Sequence, residues 1–241
     1  MPEDLLNILF WDIDGTLVKT SKSGLYAFDQ AAREIWKQGF DFEQVEAAGM
    51  TDNYIAAQII ELITGRSATP DEVEELTRRY EKLLPAQLYG RGGVIMPSVR
   101  EILDALDDQD DFLCLLLTGN SRAGSEIKLK YFELDYYFDF RMSAFCDTYY
   151  NRVDIAKCAA AALAKVRKDM STSKIFVVGD TPNDIKCGKA INAYTIGVAT
   201  GRFSVGELES GSPWWAVETL PQPEVFMEKL RSVTAGNENA G

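Results

Sequence analysis

Several nearly continuous apolar runs along the chain each end at a polar cluster. The first, LLNILFW at residues 5–11, is followed by DIDGT at residues 12–16. Short apolar runs bounded by turn residues are typical of buried parallel strands. We predict a strand there and at residues 112–117, 174–179 and 194–198, a weaker one at 138–145, and an edge strand at 214–217.

Apolar residues elsewhere recur every three or four positions, which predicts amphipathic helices. This pattern covers residues 21–38, 55–63, 73–84, 99–106, 122–131, 153–166, 182–191 and 225–233. The third helix has a strong start, because Thr69 suits the N-cap, Pro70 the first helical position and Glu72 the position three after the cap. The last residues, Gly236–Gly241, are small and polar, and we expect disorder there.

Strands and helices alternate through most of the chain, which predicts an α/β fold with a parallel sheet. Residues 19–91 interrupt the alternation directly after the first strand, since they carry helical stripes and no strand pattern. We therefore predict a discontinuous core, residues 1–18 and 92–241, with an all-helical cap inserted at residues 19–91.

Composition narrows the function. The 241 residues carry a net charge of −12, which argues against nucleic acid or an anionic membrane as a partner. No apolar run reaches the roughly 20 residues of a membrane span, and the N-terminus lacks a signal-peptide pattern. The four cysteines are scattered without zinc-type spacing, so we expect a reduced, cytoplasmic location. The absence of histidine excludes histidine-based triads and histidine-ligated zinc.

Polar clusters follow three of the predicted buried strands. They contain Asp12 and Asp14, Thr118 and Asn120, and Asp180 and Asp184. Because parallel strands end at a shared edge of the sheet, where ligands bind in open α/β sheets, we expect the clusters to converge. Asp12 and Asp14 are two positions apart at a strand end, so their side chains are expected to point the same way.

Each cluster also has a purely structural interpretation. Residues 12–15 are compatible with an acidic turn or a calcium loop, and residues 118–120 with a helix cap and turn. Thr181 and Asp184 match a capping box. Asp180 is harder to explain in this way, because a carboxylate between a buried strand and a helix start must be paired or ligated.

Three or four carboxylates in one crevice repel one another unless a cation lies among them. Without histidine, the available ligands are oxygen atoms, which suit a hard divalent cation, and Mg²⁺ is our first choice. Such an ion would also allow an acidic protein to bind a phosphorylated substrate.

The three clusters resemble motifs of a known family. D-I-D-G-T-L at 12–17, L-L-T-G-N at 116–120 and V-V-G-D-T-P-N-D at 177–184 closely resemble three motifs of haloacid-dehalogenase-like hydrolases. G-M-T-D at 49–52 and G-V-A-T-G-R-F at 197–203 are similar to segments of phosphoglycolate-phosphatase-like members. The resemblance implies a Rossmann-like core with a small helical cap after the first strand.

The resemblance also implies a role for each matched residue. Asp12 would be the nucleophile that forms an aspartyl-phosphate, and Asp14 would protonate the leaving oxygen and then activate water. The loop of Thr118, Gly119 and Asn120 would hold the phosphoryl oxygens. The Mg²⁺ ligands would be Asp12, the main-chain carbonyl of Asp14 and Asp180, with Asp184 in support.

The family's third motif departs from its commonest form, because no Lys-Pro pair exists here. Arg152 stands just before the corresponding helix, and Lys157, one turn later, competes for the role. We favour Arg152, because a guanidinium binds phosphate in a bidentate manner. Its alternative is a solvated charge at a helix start.

The cap offers further candidates for substrate binding. Thr51 and Asp52 precede a predicted helix whose N-terminal N–H groups could face the substrate, and both residues suit plain helix caps equally well. Lys19, Lys22 and Arg91 lie near the predicted hinges between cap and core.

The resulting prediction is a Mg²⁺-dependent phosphatase for a small phosphorylated metabolite, with phosphoglycolate as the leading named substrate. A phosphomutase of the same family would return the phosphoryl group to its substrate instead of to water. From other classes, a phospho-accepting receiver-type module and a catalytically silent binding scaffold remain open. We expect no nucleic-acid or membrane partner, and a monomer or homodimer.

Overall fold

The computed structural model describes residues 7–166 and 174–233. Its strands are β1 (Asn7–Trp11), β2 (Val18–Lys19), β3 (Val94–Ile95), β4 (Phe112–Leu116), β5 (Lys174–Gly179), β6 (Tyr194–Val198) and β7 (Trp215–Val217). Its α-helices are α1 (Ser23–Trp36), α2 (Asp52–Thr64), α3 (Pro70–Arg91), α4 (Val99–Asp107), α5 (Arg122–Tyr131), α6 (Arg152–Val166), α7 (Pro182–Ala190), α8 (Val205–Glu209) and α9 (Pro223–Arg231). Short 3₁₀ helices lie at Phe42–Gln44 and Asp135–Tyr137.

Five strands form one parallel sheet in the order β4-β1-β5-β6-β7, which confirms the predicted α/β fold. The first strand of the sequence lies second in the sheet, between β4 and β5. Trp11, the last residue of β1, is opposite Leu116 of β4 and Val178 of β5. The loops that follow these three strands therefore leave the same edge of the sheet side by side.

Alternate residues of the central strands pack on opposite faces of the sheet. Leu9 and Trp11 of β1 belong to a core with α4, α5 and α9, whereas Ile8 and Phe10 belong to a core with α6 and α7. A strand with both faces covered has no solvent-facing positions, which explains its continuous apolar sequence. Because helices pack on both faces of the sheet, the central strands are held in register and the loops at their carboxyl ends lie at the same edge.

Helices α1, α2 and α3 bury their apolar faces against one another. Their cluster is centred on Phe28 and Tyr80, whose rings stack with centroids 4.0 Å apart. Ile127 and Tyr131 of α5 pack against this cluster from the core side. The division into cap and core stays a prediction, and it is supported by this separate apolar cluster.

The predicted starts of two helices are confirmed. At α3, Thr69 and Glu72 form the capping box that the sequence indicates, with Pro70 in the first turn. At α7, Thr181 and Asp184 form a second capping box, again with a proline in the first turn. Each box satisfies N–H groups that would otherwise lack partners at the helix end.

The strand predicted at residues 138–145 is wrong. The carbonyl of Asp139 accepts hydrogen bonds from the backbone N–H of Met142 and of Ser143, so this segment forms a turn. It touches the sheet at a single bridge, where Ala144 pairs with Leu117. Its aromatic side chains pack against the core beside β4, but its backbone does not form a ladder of hydrogen bonds with β4. Apolar content alone does not distinguish a packed turn from a paired strand.

Other short elements were not predicted. Val18 and Lys19 of β2 pair antiparallel with Ile95 and Val94 of β3, so Lys19 is in a strand although residues 19–91 were predicted to contain none. Two-residue strands and the five-residue α8 are too short to show a periodicity. The predicted disorder at Gly236–Gly241 lies outside the described residues. Within residues 7–166 and 174–233, no helix has the length and hydropathy that a membrane crossing requires.

Candidate active site

Two neighbouring strand ends and the helix that follows the second one bring the predicted acidic residues together. Asp12 follows β1, Asp180 follows β5, and Asp184 lies one helical turn further, in α7. One carboxylate oxygen from each of the three lies within 4.8 Å of the others, and all three residues are buried. The structure therefore makes the convergence that the sheet topology predicts.

Arg152, the first residue of α6, lies in the centre of this acidic group. Its Nη2 atom is 3.1 Å from Asp12 Oδ1 and 2.6 Å from Asp184 Oδ1, and it donates a hydrogen bond to the Leu117 carbonyl. We call Asp12, Arg152, Asp180 and Asp184 the Arg152 cluster. Lys157, the competing candidate, is exposed on the same helix.

Asp184 has its predicted capping-box role in the structure and also forms an ion pair. Its Oδ2 atom accepts hydrogen bonds from the N–H and the hydroxyl of Thr181, as a capping-box residue should. Its Oδ1 atom pairs with Arg152. Because both oxygens already have partners, Asp184 suits a supporting place beside a metal better than a place as its main ligand.

Burial disfavours ionisation of the clustered carboxylates. Burial raises the pKa of Asp12 to about 6, against the opposing effect of Arg152. For Asp180, burial and then the neighbouring Asp184 and Asp12 raise the pKa to about 8. The pKa of Arg152 is raised above its ordinary value by Asp12 and Asp184, although burial acts strongly in the opposite direction.

A divalent cation fits this donor set. The cluster offers carboxylate oxygens from three residues and no nitrogen or sulfur donor, which is the ligand chemistry of Mg²⁺. One guanidinium does not balance three carboxylates, and the pKa values of Asp12 and Asp180 are raised first by burial and further by the neighbouring carboxylates. Bound Mg²⁺ would supply the missing charge.

Two glycines make room for Asp180. A Cβ atom on Gly201 would lie 1.7 Å from Asp180 Oδ2, and one on Gly15 would lie 2.3 Å from the same atom. Gly15 also has a positive φ of 88°, which favours glycine at this turn. Thr16 donates a hydrogen bond to Asp180 Oδ1 at 3.2 Å and so fixes the other oxygen.

Asp14 pairs with a different cation. Its Oδ2 atom is 2.5 Å from Lys128 Nζ and accepts a hydrogen bond of 2.9 Å from Asn120 Nδ2. Lys128 Nζ also donates to Asn120 Oδ1 at 2.5 Å, and Asn120 donates to the Thr118 hydroxyl at 2.8 Å. We call Asp14, Asn120, Lys128 and the nearby Asp52 the Lys128 cluster.

Lys128 was missed by the sequence interpretation. It lies in the third turn of α5, among residues that read as an ordinary polar helix. A signal was nevertheless present, because Lys128 falls on the same face as the buried Gly124 and Ser125, at spacings of four and three residues. A lysine on an inward-facing helical stripe requires a partner.

Asp52 connects the predicted cap to the core loop of the second motif. Its carboxylate accepts a hydrogen bond of 2.8 Å from the Ser121 N–H, and its own N–H donates to the Gly119 carbonyl at 2.7 Å. Burial raises the pKa of Asp52 to about 6, and the nearby positive charge of Lys128 opposes this rise. Thr51 is the N-cap of α2 and also donates a hydrogen bond to the Tyr150 carbonyl.

A cavity of about 610 Å³ joins the two clusters and extends between the predicted cap and core. Its cap wall is apolar, with Leu25, Phe28, Met50, Ile55 and Tyr80. Its cations are Lys19, Lys22, Lys128, Arg152 and Arg202. These five cations lie beside four carboxylates in the same lining, those of Asp12, Asp14, Asp52 and Asp180, so the formal charge of the lining is close to neutral although the whole chain carries −12. Arg91 is not among these residues, because its guanidinium stacks over the Tyr26 ring.

Comparisons with known proteins agree with this fold. A probable phosphatase, IndB, of Dickeya dadantii (strain 3937) is 24% identical over 216 residues, which are 89% of this chain and 90% of that protein. A solved structure from Bacteroides vulgatus, described as a candidate beta-phosphoglucomutase, has a TM-score of 0.69 at 18% identity and covers 98% of this chain and 91% of its own. A predicted phosphoglycolate phosphatase from Haemophilus somnus 129pt has a TM-score of 0.66 at 16% identity over 95% of this chain and 100% of its own.

At these identities the two solved structures establish the fold and not the substrate. A family model establishes more than the fold, because it matches the sequence itself over residues 8–198, from β1 to the end of β6. That range includes every strand-end motif described above, so this chain belongs to the haloacid dehalogenase-like hydrolase family.

Proposed function

We propose that this hydrolase is a Mg²⁺-dependent phosphatase that hydrolyses a small phosphorylated metabolite through an aspartyl-phosphate on Asp12. The observation that carries the proposal is the position of Asp12. It is buried at the end of the central strand, 3.1 Å from a guanidinium and beside two further carboxylates. This arrangement offers a nucleophile, a phosphoryl-binding cation and oxygen ligands for a metal within one crevice.

The chemistry divides between the two clusters. An oxygen of Asp12 forms a bond to phosphorus while the bond between phosphorus and the ester oxygen breaks. Arg152 binds the phosphoryl oxygens, and Asp14 gives a proton to the leaving oxygen. In the second step Asp14 accepts a proton from water as the water attacks phosphorus and releases Asp12. Asp12 and Asp180 would hold Mg²⁺, which would supply positive charge against the negative charge of the transferring group.

The cavity supports a small anionic metabolite as substrate, and we retain a phosphoglycolate-like compound as the leading example. Five cationic side chains and four carboxylates line the cavity, and bound Mg²⁺ would add positive charge, which would favour a phosphorylated ligand in an otherwise acidic protein. We also propose a cytoplasmic location. The four cysteines, at positions 114, 146, 158 and 187, are free thiols, as expected in a reducing compartment.

The test is hydrolysis of p-nitrophenyl phosphate by the purified protein with Mg²⁺ and with excess EDTA. We expect activity with Mg²⁺, its loss in EDTA, and a loss of at least about 10⁴-fold in Asp12→Asn, because the nucleophile is absent. Asp154→Asn, at an exposed carboxylate in the first turn of α6, is the matched control and should retain activity.

The outcomes separate the alternatives. Phosphate release from substrate would exclude a phosphomutase as the main activity, whereas transfer to a second sugar hydroxyl would favour it. A stable phosphoprotein without turnover would indicate a phospho-accepting module. Full activity of Asp12→Asn, or full turnover in excess EDTA, would overturn the proposed function.

A further inference from the structure

The least expected feature of the site is a buried lysine in the middle of a helix. The Lys128 side chain is 5% exposed, and its Nζ atom lies 2.5 Å from both Asp14 Oδ2 and Asn120 Oδ1. Lysine is almost never buried to this degree unless it is paired, because desolvation of an ammonium group is costly. The family motifs quoted above contain Asp14 and Asn120 and assign nothing to position 128.

The surroundings of Lys128 explain why a cation is tolerated there. Asp14 and Asp52 lie beside it, and Glu81 of α3 adds to the negative charge at Asp52. Glu81 is also held at this place, because its carboxylate accepts a hydrogen bond from the Ser121 hydroxyl. Without Lys128, this side of the site would contain several carboxylates from the predicted cap and core. Among the described residues, no other positively charged group lies within hydrogen-bonding distance of Asp14.

The contacts of Lys128 also constrain the orientation of Asp14. Two donors, Lys128 Nζ and Asn120 Nδ2, converge on the same oxygen, Oδ2. Asn120 is itself held, because it donates to the Thr118 hydroxyl and accepts from Lys128. The carboxyl group is therefore held mainly through Oδ2, although its side chain is 41% exposed to the cavity. Oδ1 accepts only a long hydrogen bond of 3.5 Å from the Thr20 hydroxyl, so it is the oxygen better placed to exchange a proton with a ligand.

We propose that Lys128 is a positioning residue that acts on the reaction through Asp14. With Asn120, it holds the Asp14 carboxyl group in the orientation that serves proton transfer to the leaving oxygen. Its ammonium contacts Asp14 and Asn120, whereas the guanidinium of Arg152 contacts Asp12 and is the group that we assign to the phosphoryl oxygens. The inference rests on the proposed function, since it assigns a partner to the residue that exchanges the proton.

The test compares two substrates of similar shape whose leaving oxygens differ in basicity. p-Nitrophenolate departs without a proton, whereas p-methoxyphenolate is a poor leaving group and depends on protonation. We expect Lys128→Met to lower kcat/KM for p-methoxyphenyl phosphate by about 10²-fold, the usual contribution of a positioned acid, and for p-nitrophenyl phosphate by less than about tenfold. The parameter kcat/KM is used because it reports the first step, in which the leaving group departs.

Two variants control for other effects of the substitution. Lys130→Met changes an exposed lysine of the same helix, which pairs with Glu126 at the surface, and should leave both substrates unaffected. Lys128→Arg keeps the positive charge and should preserve most of the parent ratio between the two substrates. Equal losses on both substrates in Lys128→Met, or a rise in KM alone, would overturn the proposal, because they indicate a structural or substrate-binding role.

A double-mutant cycle keeps the proposal testable if Lys128→Met alone does not fold. In Asp14→Asn, the residue on which Lys128 acts is already disabled, so adding Lys128→Met should cost less than about threefold more activity. A large additional loss would overturn the proposal. Activity in Asp12→Asn remains the separate test of the proposed function, so failure of the Lys128 inference would leave the phosphatase mechanism intact.

Discussion

The Arg152 cluster and the Lys128 cluster resemble each other in outline but differ in what they connect. Each pairs a buried cation with one aspartate of the first strand-end loop, Asp12 or Asp14. The residues of the Arg152 cluster all come from strand ends and helix starts of the predicted core. The Lys128 cluster includes Asp52, the first residue of α2 in the predicted cap.

This difference explains how two aspartates two residues apart can have different functions. Asp12 is fully enclosed beside a guanidinium, whose planar donors suit phosphoryl oxygens. Asp14 is partly exposed to the cavity, beside a more compact ammonium that can be shared with Asn120. We infer that the first cluster serves the phosphoryl group and the metal, and the second serves the leaving group and contact with the cap.

The largest effect is expected from Arg152→Met. Removal of the guanidinium leaves Asp12 and Asp184 buried without a counter-ion, which should lower the unfolding free energy by about 3–5 kcal/mol. The value of kcat/KM should fall by about 10²–10³-fold, because a donor to the phosphoryl oxygens is lost. Urea unfolding in excess EDTA, where no Mg²⁺ can replace the lost charge, measures the first quantity. A stability loss in Lys128→Met as large as in Arg152→Met would contradict the comparison, since Asp14 is accessible to water.

The second effect is expected from Gly201→Ala. The added Cβ would lie 1.7 Å from Asp180 Oδ2, so Asp180 must move and Mg²⁺ affinity should fall by about 10–100-fold. The Mg²⁺ concentration that gives half-maximal activity measures the change. Gly206→Ala is the control, because no atom lies within 4 Å of its added Cβ. An unchanged Mg²⁺ requirement in Gly201→Ala would remove Asp180 from the metal site.

A smaller effect is expected from Asp52→Asn, and it depends on pH. The pKa of Asp52 is raised from 3.8 to about 6, so the folded state retains its proton longer than the unfolded state. Stability from this group is therefore present below about pH 4 and is lost as the pH rises through about 6. Asparagine does not titrate, so the variant should not lose this stability. Between pH 4 and 7, the unfolding free energy of the parent should therefore decrease by about 1–3 kcal/mol more than that of Asp52→Asn.

Thermal or urea unfolding at several pH values measures this difference. Glu61→Gln, at an exposed residue of the same helix, is the control and should follow the parent curve. In Asp52→Asn the Ser121 N–H can still donate to the side-chain amide oxygen, so loss of that hydrogen bond does not confuse the result. If the unfolding free energies of the parent and of Asp52→Asn depend on pH in the same way, the ionisation of Asp52 does not destabilise the folded protein.

The smallest effect is expected from Lys157→Met. Lys157 is exposed, so its loss should change kcat/KM and stability within about twofold and 0.5 kcal/mol, respectively. The same p-nitrophenyl phosphate assay and urea titration measure both. A loss as large as that in Arg152→Met would reverse the choice between the two cations for the family's third motif.

Much of the Arg152 cluster could be anticipated from the sequence. Each of its acidic residues stands next to a buried strand or in a capping box, and local patterns of that kind are set by neighbouring residues. Arg152 was identified by its place before a helix. The Lys128 cluster was harder to anticipate, because the only local sign is the position of Lys128 on the helix face of Gly124 and Ser125. Its carboxylate partners Asp14 and Asp52 lie 114 and 76 residues away in sequence.

The sequence by itself indicated the five strands of the parallel sheet, most helices, the order of the motifs and the residue types available for catalysis. It also indicated a strand at residues 138–145 that does not form. The absence of histidine and the carboxylates at strand ends already required oxygen-ligand chemistry. Tertiary structure decided which cation serves which aspartate, how Asp52 meets the Gly119 loop and where the cavity lies. Local propensity acts over a few residues, whereas these contacts depend on how β4, β1 and β5 are ordered and on how α5 packs against α3.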